Sequence, residues 1–208
     1  MNLTTSELVY INEAAKALKQ KDFILIDNAM IGIDNIQNIV TYVLLDNNFF
    51  INHLNGVIIN QRELSAFIKA LSVESDFKFD FIDNVAKINT ISGGELNIIF
   101  NRSIAELACS KFKYAISLDH VIKTTIPNTE IPDIASKIQS MNKADGSVRI
   151  NYNGYIMTIF PSLFPITKAD KMYVSILQPY LQLHTFIAKF MIKKKKFDII
   201  TYINYLKV

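Results

Sequence analysis

A unit of one amphipathic helix followed by two short strands and a tight turn occurs twice in this sequence. Asp and Asn favour such turns because their side chains bond to nearby backbone and tolerate left-handed conformations. The first copy is predicted as a helix over 5–20, strands over 23–26 and 30–33, and a turn at Asp27-Asn28. The second is predicted as a helix over 131–142, strands over 148–151 and 156–159, and a turn at Asn153-Gly154. A repeated helix-and-meander unit indicates two like domains.

The first half of the chain is predicted to alternate antiparallel strands with two helices. In the first helix, Leu8, Ile11, Ala15 and Leu18 recur at the spacing of one helix face. Asn60 is a favourable N-cap for a second helix, over 61–72. Strands are predicted over 23–26, 30–33, 39–45, 49–52, 57–59, 77–81, 85–91 and 96–100.

Residues 102–118 carry two competing patterns. Ser103 to Ser110 fits a short helix, whereas Lys111 to Ser117 alternates like an edge strand. We place a domain boundary at Leu118, which gives domains over 1–118 and 119–208. The second domain is predicted to contain a strand over 121–126, the helix over 131–142, and strands over 147–152, 155–160 and 171–177.

The last stretch of the chain is apolar around a run of four lysines, Lys193 to Lys196. It is predicted as a hairpin with the lysines at its tip, and a helix near residues 186–191 is the alternative. The lysines themselves fit a charged hairpin tip better than a contact with phosphate or a membrane surface. The fold class is therefore α+β, with two β-rich domains that each hold a helix plus an antiparallel meander.

Composition indicates an intracellular protein that is neither secreted nor membrane-bound. Apolar stretches such as Val40 to Leu45 are far shorter than the ~20 residues of a membrane helix. The N-terminus has no basic region followed by an apolar run. The single cysteine, Cys109, cannot form an internal disulfide, and we expect it to be a buried, inert thiol.

No motif for catalysis, a metal or a cofactor is present in the sequence. There is no phosphate loop with Gly-Lys-Ser or Gly-Lys-Thr and no Gly-x-Ser-x-Gly element. The three histidines lack the spacing of a helical metal pair, and Asp27, Asp34, Asp46 and Asp83 each precede Asn at an apparent strand end. A non-enzyme without a cofactor is predicted. An enzyme with dispersed catalytic residues is the third possibility, which a pocket of convergent titratable groups would reveal.

The order of these elements resembles that of the sliding clamps that hold DNA polymerases on their template. Residues 5–101 match one clamp domain, and Gly56 to Leu64 is similar to the strand that leads into the second helix of such a domain. Residues 119–208 match in the first helix and the two strands after it, but a second helix is not evident. The abundance of Ile, Asn and Lys is typical of an AT-rich viral or bacterial genome. The departure of the second domain leaves three alternatives open: a trimmed viral or phage-like clamp, a clamp-like accessory factor of viral transcription, or another two-domain β protein.

The resemblance implies a homo-oligomer whose subunits close head to tail around duplex DNA and tether a DNA polymerase or another replication factor. In such a processivity factor, Lys and Arg on the helices meet backbone phosphates without reading sequence. The candidate DNA contacts are Lys16, Lys19, Arg62, Lys69, Lys137 and Lys143. The candidate partner-binding residues, on the connector, are Ile104, Leu107, Phe112 and Tyr114. Solvated faces of surface helices are the alternative explanation of these charges.

The runner-up function is a viral structural or assembly protein, such as a ring component of a phage tail or neck. Edge strands around 111–117 and in the second domain are predicted to form the subunit contact, because a head-to-tail contact repeated by rotation closes a ring. A clamp would bind DNA through the polar faces of its helices. A structural ring would bury those faces against partners.

Overall fold

The computed structural model describes residues 5–33, 39–46, 56–71, 78–82, 85–89, 94–121, 124–141, 146–178 and 185–206. It has an α+β fold in which four described helices span Thr5–Leu18 (α1), Gln61–Ala70 (α2), Arg102–Val121 (α3) and Pro132–Met141 (α4). The described strands are Asp22–Ile26 (β1), Ala29–Gly32 (β2), Ile39–Leu44 (β3), Val57–Asn60 (β4), Lys78–Ile82 (β5), Val85–Asn89 (β6), Glu95–Phe100 (β7), Thr124–Glu130 (β8), Val148–Tyr152 (β9), Tyr155–Ile159 (β10), Lys171–Leu177 (β11), Thr185–Lys193 (β12) and Asp198–Leu206 (β13). The predicted strand over 49–52 and the turns at Asp34-Asn35 and Asp83-Asn84 lie outside the described residues.

Contacts divide the chain into two compact units. The first consists of Met1–Ile36 with Tyr42–Phe112, and the second of Gln37–Thr41 with Lys113–Val208. The division falls inside α3, the same helix that holds the predicted boundary at Leu118.

The first unit is built on antiparallel strands in the order β5-β6-β7-β4-β1-β2-β3. Strand β1 pairs with β2 from Phe23↔Gly32 to Ile26↔Ala29, and with β4 on its other side. Helix α1 packs on β2 and on α2, and α2 packs on β4 and β7. Because the two helices touch each other and the same sheet, they cover one face of it.

The helices of the first unit are held by the apolar faces that the sequence predicts. Leu8, Ile11 and Leu18 of α1 and Leu64 and Phe67 of α2 are fully buried. Burial of each such side chain contributes about 1.5–3 kcal/mol relative to exposure. Both predicted helices and the N-cap at Asn60 are confirmed, although α1 ends at Leu18 and α2 at Ala70.

The second unit contains antiparallel strands in the order β13-β12-β11-β8. The final hairpin is confirmed: β12 and β13 pair from Thr185↔Leu206 to Lys193↔Asp198. Helix α4 packs on β11 and on a short 3-10 helix, Pro161–Leu163. The backbone N–H of Ile131 donates to Met172 at 3.0 Å, which ties the start of α4 to β11.

The tip of the final hairpin is fixed by an ion pair. Lys194 Nζ lies 2.6 Å from Asp170 Oδ2, and the two side chains are only 14% and 9% exposed. The same oxygen accepts hydrogen bonds from the N–H and the hydroxyl of Thr167, at 2.7 and 2.9 Å. Burial raises the pKa of Asp170, but the hydrogen bonds from Lys194 and Thr167 together hold that pKa below its usual value. Lys194 therefore has a structural role at the hairpin tip, where its ion pair with Asp170 stabilises the fold.

The repeated helix-and-hairpin unit is present in both copies, but its second copy is used differently. Both hairpins have two-residue loops, in which Asp27 has φ 51° and Asn153 φ 49°. Strands β1 and β2 lie inside the sheet of the first unit, whereas β9 and β10 form a separate two-stranded sheet. The physical reason is in the strands: β1 is apolar and buried on both faces, while β9 alternates buried and exposed residues and needs cover on one face only.

The predicted edge strand at 111–117 is wrong, because this segment belongs to the continuous 20-residue helix α3. Ala108, Phe112, Ala115 and Leu118 are buried at helical spacing, which outweighs the local apolar alternation. The strand predicted to start at Val121 starts at Thr124, since Val121 ends α3. Cys109, expected to be buried, is half-buried on this helix. A subunit contact through a strand at 111–117 is therefore excluded.

Candidate nucleic-acid interface

A pocket of about 400 Å³ opens between the end of α1 and the start of α2. We call it the basic pocket, because four of its lining side chains are cations. Its lining residues are Ala15, Lys16, Lys19, Gln20, Lys21, Gln61 and Arg62. It combines three of the predicted DNA contacts with residues that sequence reasoning did not single out.

One wall of the basic pocket is the end of α1. Leu18 is buried, and Lys19 then adopts a left-handed conformation with φ 55°. Its N–H donates to the Ala15 carbonyl at 3.2 Å, which closes the last turn. Glycine is the usual residue at such a helix end, because a side chain there costs about 1–2 kcal/mol. The charges of Lys16 and Lys19 offset part of this cost by facing the negative end of the helix dipole.

The Gln20 side chain packs against β2 at Gly32, which has no side chain of its own. A Cβ at residue 32 would collide with Gln20 Cγ and would lie 2.8 Å from its Cδ. Gly32 thus leaves room for the Gln20 side chain, which a Cβ at this position would force to move. It lets the chain turn from α1 into β1 with Gln20 lining the basic pocket.

The other wall is the first turn of α2, which is fixed by its cap. The Asn60 side-chain oxygen accepts hydrogen bonds from the backbone N–H of Arg62 at 3.0 Å and of Glu63 at 3.2 Å. Its side-chain NH₂ donates to Asp22 Oδ1 at 2.8 Å. The N–H of Gln61 donates to the Lys21 carbonyl at 2.9 Å. These bonds place Arg62 beside the lysines that follow α1.

A part-buried chain of hydrogen bonds fastens α2 to α1 behind the basic pocket. Gln61 Nε2 donates to Ser65 Oγ at 2.8 Å, and Ser65 Oγ donates to Asn12 Oδ1 at 2.7 Å. Asn12 is 5% exposed and lies on the buried face of α1. Buried polar groups of this kind are costly unless satisfied, so the network favours one relative position of the two helices.

The electrostatic character of the basic pocket is one-sided. Its lining contains no carboxylate. In the part of the chain that the structure describes, no ion pair involves Lys16, Lys19 or Arg62. Clustered cations raise the local concentration of anions. The pocket is therefore suited to phosphate groups.

The remaining predicted DNA contacts lie elsewhere. Lys69 is exposed on α2, two turns from Arg62 and so on the same side of that helix, but it does not line the basic pocket. Lys137 is exposed on α4, in the second unit. Lys143 lies outside the described residues. The structure thus brings together Lys16, Lys19 and Arg62, and it adds Lys21.

The predicted partner-binding residues all lie on α3, but they do not share one exposed face. Ile104 and Leu107 are half-buried, and Tyr114 is 51% exposed on the same side of the helix. Phe112 is only 3% exposed and packs edge-to-face on Tyr42, with ring centroids 5.0 Å apart. Phe112 therefore belongs to the core and offers no surface to a partner.

Two exposed apolar residues that sequence reasoning missed precede α3. Ile99 and Phe100 end strand β7 with their side chains exposed. The Phe100 ring lies against Gly56, where an added Cβ would be 3.1 Å from it. A short apolar run at a strand end gave no signal in the sequence, because such runs usually face the core.

Among the described residues, no group of three or more His, Cys, Asp or Glu side chains is arranged to hold a metal ion. None of the helices in the described ranges combines the length and the apolar character needed to cross a membrane.

No protein-family model matches the sequence, and no curated protein matches it. Several solved structures of sliding clamps are similar in fold at low identity. The chain is 9% identical to the Helicobacter pylori beta clamp bound to a DNA ligase peptide, with a TM-score of 0.42 over 97% of this chain and 63% of the clamp. It is 11% identical to the Bacillus subtilis DNA polymerase sliding clamp, with a TM-score of 0.42 over 99% and 63% of the two chains.

The chain is also 10% identical to A. fulgidus PCNA bound to the C-terminal region of FEN-1, with a TM-score of 0.42 over 99% of this chain and 97% of that one. It spans 63% of the length of the two bacterial clamps. Because the identities and TM-scores are low, a function for this chain has to rest on its own residues and geometry.

Proposed function

We propose that this chain is a DNA sliding clamp or a clamp-like processivity factor. In this role it forms a head-to-tail homo-oligomer around duplex DNA and tethers a DNA polymerase. The observation that carries the proposal is the basic pocket: cations from two separate helices converge there, and both helices cover the same face of an antiparallel sheet.

The chemistry of the basic pocket supports contact with the DNA backbone rather than with bases. Three of its four cations are lysines, whose flexible side chains act as point charges toward phosphates. Such contacts carry no sequence information, and their affinity falls steeply with salt because counterions are released. Engagement of all four cations would give a slope of log K against log salt of about −3.6 per subunit.

Two strand edges support the head-to-tail contact. Among the described strands, β5 pairs only with β6, and β8 pairs only with β11. The residues of β8 are almost all exposed. Unpaired edges of this kind present backbone N–H and C=O groups to another chain, and two different edges are what a heterologous, ring-forming contact uses.

The client surface that we propose is the exposed side of α3 with the end of β7. Ile104 and Leu107 contribute from the helix, and Phe100 from the strand, where its ring lies beside Gly56 together with Ala105. The client is a polymerase or another replication factor that presents a short apolar segment.

The proposal is tested by combining light scattering with DNA binding of charge variants. A K16E/K19E/R62E triple variant should lose duplex binding, because it replaces three cations of the pocket with anions. A K113E/K168E/K195E triple variant makes the same change in net charge at exposed lysines elsewhere and should keep most of the binding. A wild-type oligomer that binds duplex DNA only through the pocket residues supports the proposal. A ring-sized oligomer that does not bind DNA would favour a structural assembly protein. Equal losses of DNA binding in the two triple variants would show that binding depends only on net charge.

A further inference from the structure

We propose that the basic pocket is a discrete binding site for contiguous phosphate groups, such as the triphosphate tail of a nucleotide. On this view the pocket takes one oligophosphate per chain and does more than attract a duplex diffusely. The inference deepens the proposed function and rests on it only where it predicts that duplex DNA, through its separate phosphodiesters, competes for the same cations. The ligand itself is a free nucleotide or an inorganic oligophosphate.

The size of the basic pocket is the first reason. Its volume of about 400 Å³ falls within the range of about 300–1,000 Å³ that is typical of small-molecule sites. A helix face that only follows a DNA backbone needs exposed cations but no concavity.

Charge is the second reason. Four cations line the pocket, and no carboxylate accompanies them. A single phosphodiester carries one negative charge, which is fewer than the positive charges of Lys16, Lys19 and Arg62 alone. A triphosphate tail carries several negative charges within one compact group and matches the lining far better.

The third reason is that the walls are fixed before any ligand arrives. Lys19 is held in a left-handed conformation, Gln20 is seated against Gly32, and Arg62 follows a capped first turn of α2. The backbone on both sides of the pocket is therefore set in advance, while the four cationic side chains are exposed and open to a ligand.

Recognition is through side chains rather than through the helix N-terminus. The N–H of Gln61 is bonded to the Lys21 carbonyl, and those of Arg62 and Glu63 are bonded to Asn60. The first turn of α2 therefore has no spare amide of these three for a phosphate. The ligand is held by Lys16, Lys19, Lys21 and Arg62, and an oligophosphate bound there competes with DNA.

Isothermal titration calorimetry at constant ionic strength tests the inference. We expect tripolyphosphate to bind once per chain, at least about tenfold more tightly than inorganic phosphate, since further charge-assisted bonds form. ATP should match tripolyphosphate if phosphates alone are recognised. Arg62→Gln and Lys16→Gln should each weaken tripolyphosphate binding about tenfold. The matched control Lys168→Gln, at an exposed lysine of the second unit, should leave it unchanged.

The outcomes separate this inference from the proposed function. If the chain binds one tripolyphosphate but no duplex DNA, the oligophosphate site is supported and the sliding-clamp proposal is contradicted. The ligand is then a free oligophosphate. Duplex binding that tripolyphosphate displaces, with the same variants impaired in both, would support both the site and the proposed function, because the two ligands then compete for the same cations. Tripolyphosphate that binds no better than inorganic phosphate, or equally well to Arg62→Gln and to the control, would overturn the inference even if DNA is bound.

Discussion

Replacement of Lys19 by glycine should stabilise the protein and weaken its binding to DNA at the same time. Lys19 has φ 55°, a conformation that costs a residue with a Cβ about 1–2 kcal/mol. Glycine removes this cost but loses about 0.5–1 kcal/mol of chain entropy, so Lys19→Gly should be about 0.5–1 kcal/mol more stable than an uncharged variant that keeps a Cβ. For a chain of this length, 1 kcal/mol corresponds to a rise in Tm of about 2–4 °C. Because the variant also loses one of four pocket cations, the salt slope of duplex binding should become less steep by about 0.9.

Lys19→Ala is the matched control, since it removes the same charge but keeps a Cβ in the left-handed conformation. We expect it to change the salt slope as Lys19→Gly does, without the gain in stability. Urea unfolding and fluorescence anisotropy with a labelled duplex over a series of salt concentrations measure the two effects. A glycine variant that is no more stable than the alanine variant would refute the argument from strain. An unchanged salt slope in both would refute the role of Lys19 at phosphates.

Three further predictions concern the bonds that shape the two units. Ser65→Ala leaves the buried Asn12 oxygen without its donor and should cost about 1–3 kcal/mol in urea unfolding; a cost below about 0.5 kcal/mol would contradict the role of this network. Asn60→Ala should cost about 1 kcal/mol through loss of the α2 cap, whereas Asn60→Ser should recover most of this stability. If both variants were as stable as wild type, the cap would not contribute to stability. The lowered pKa of Asp170 means that its contribution to stability is complete above the unfolded value of 3.8 and is lost as the pH falls through the lower folded value. The urea midpoint should therefore drop less between pH 6 and pH 3 in Asp170→Asn than in wild type, and parallel curves would contradict this assignment.

Elements whose signals are local could be predicted from the sequence. The Asn60 cap and the apolar face of α2 lie within one short segment, and β11 and the final hairpin likewise follow from their own residues. The local alternation of Phe112, Tyr114 and Ile116 favours a strand, while the burial that decides the structure of α3 recurs over about three turns from Ala108 to Leu118. Only packing shows that Phe112 is buried and Tyr114 exposed.

The sequence predicts several residues of the candidate site, but it does not predict that they line one pocket. Lys16, Lys19 and Arg62 stand out as cations on polar helix faces. Their convergence depends on the contact of α1 with α2, which is set by hydrogen bonds between residues far apart in sequence, such as Asn12 and Ser65. Lys21 gave no helix signal because it follows the end of α1. The hairpin β9–β10 likewise has the predicted local structure, but its separation from the main strands is a tertiary outcome.

The most direct test of the central claim is retention of the wild-type chain on circular and on linearised plasmid DNA, with a clamp loader supplied if loading needs one. The sample's mass in solution is measured in parallel by light scattering. We expect a closed oligomer that stays on the circle through a high-salt wash and runs off the ends of the linear form. Equal retention on the two forms, or a monomer that is washed from both, would contradict the proposal that this chain encircles DNA.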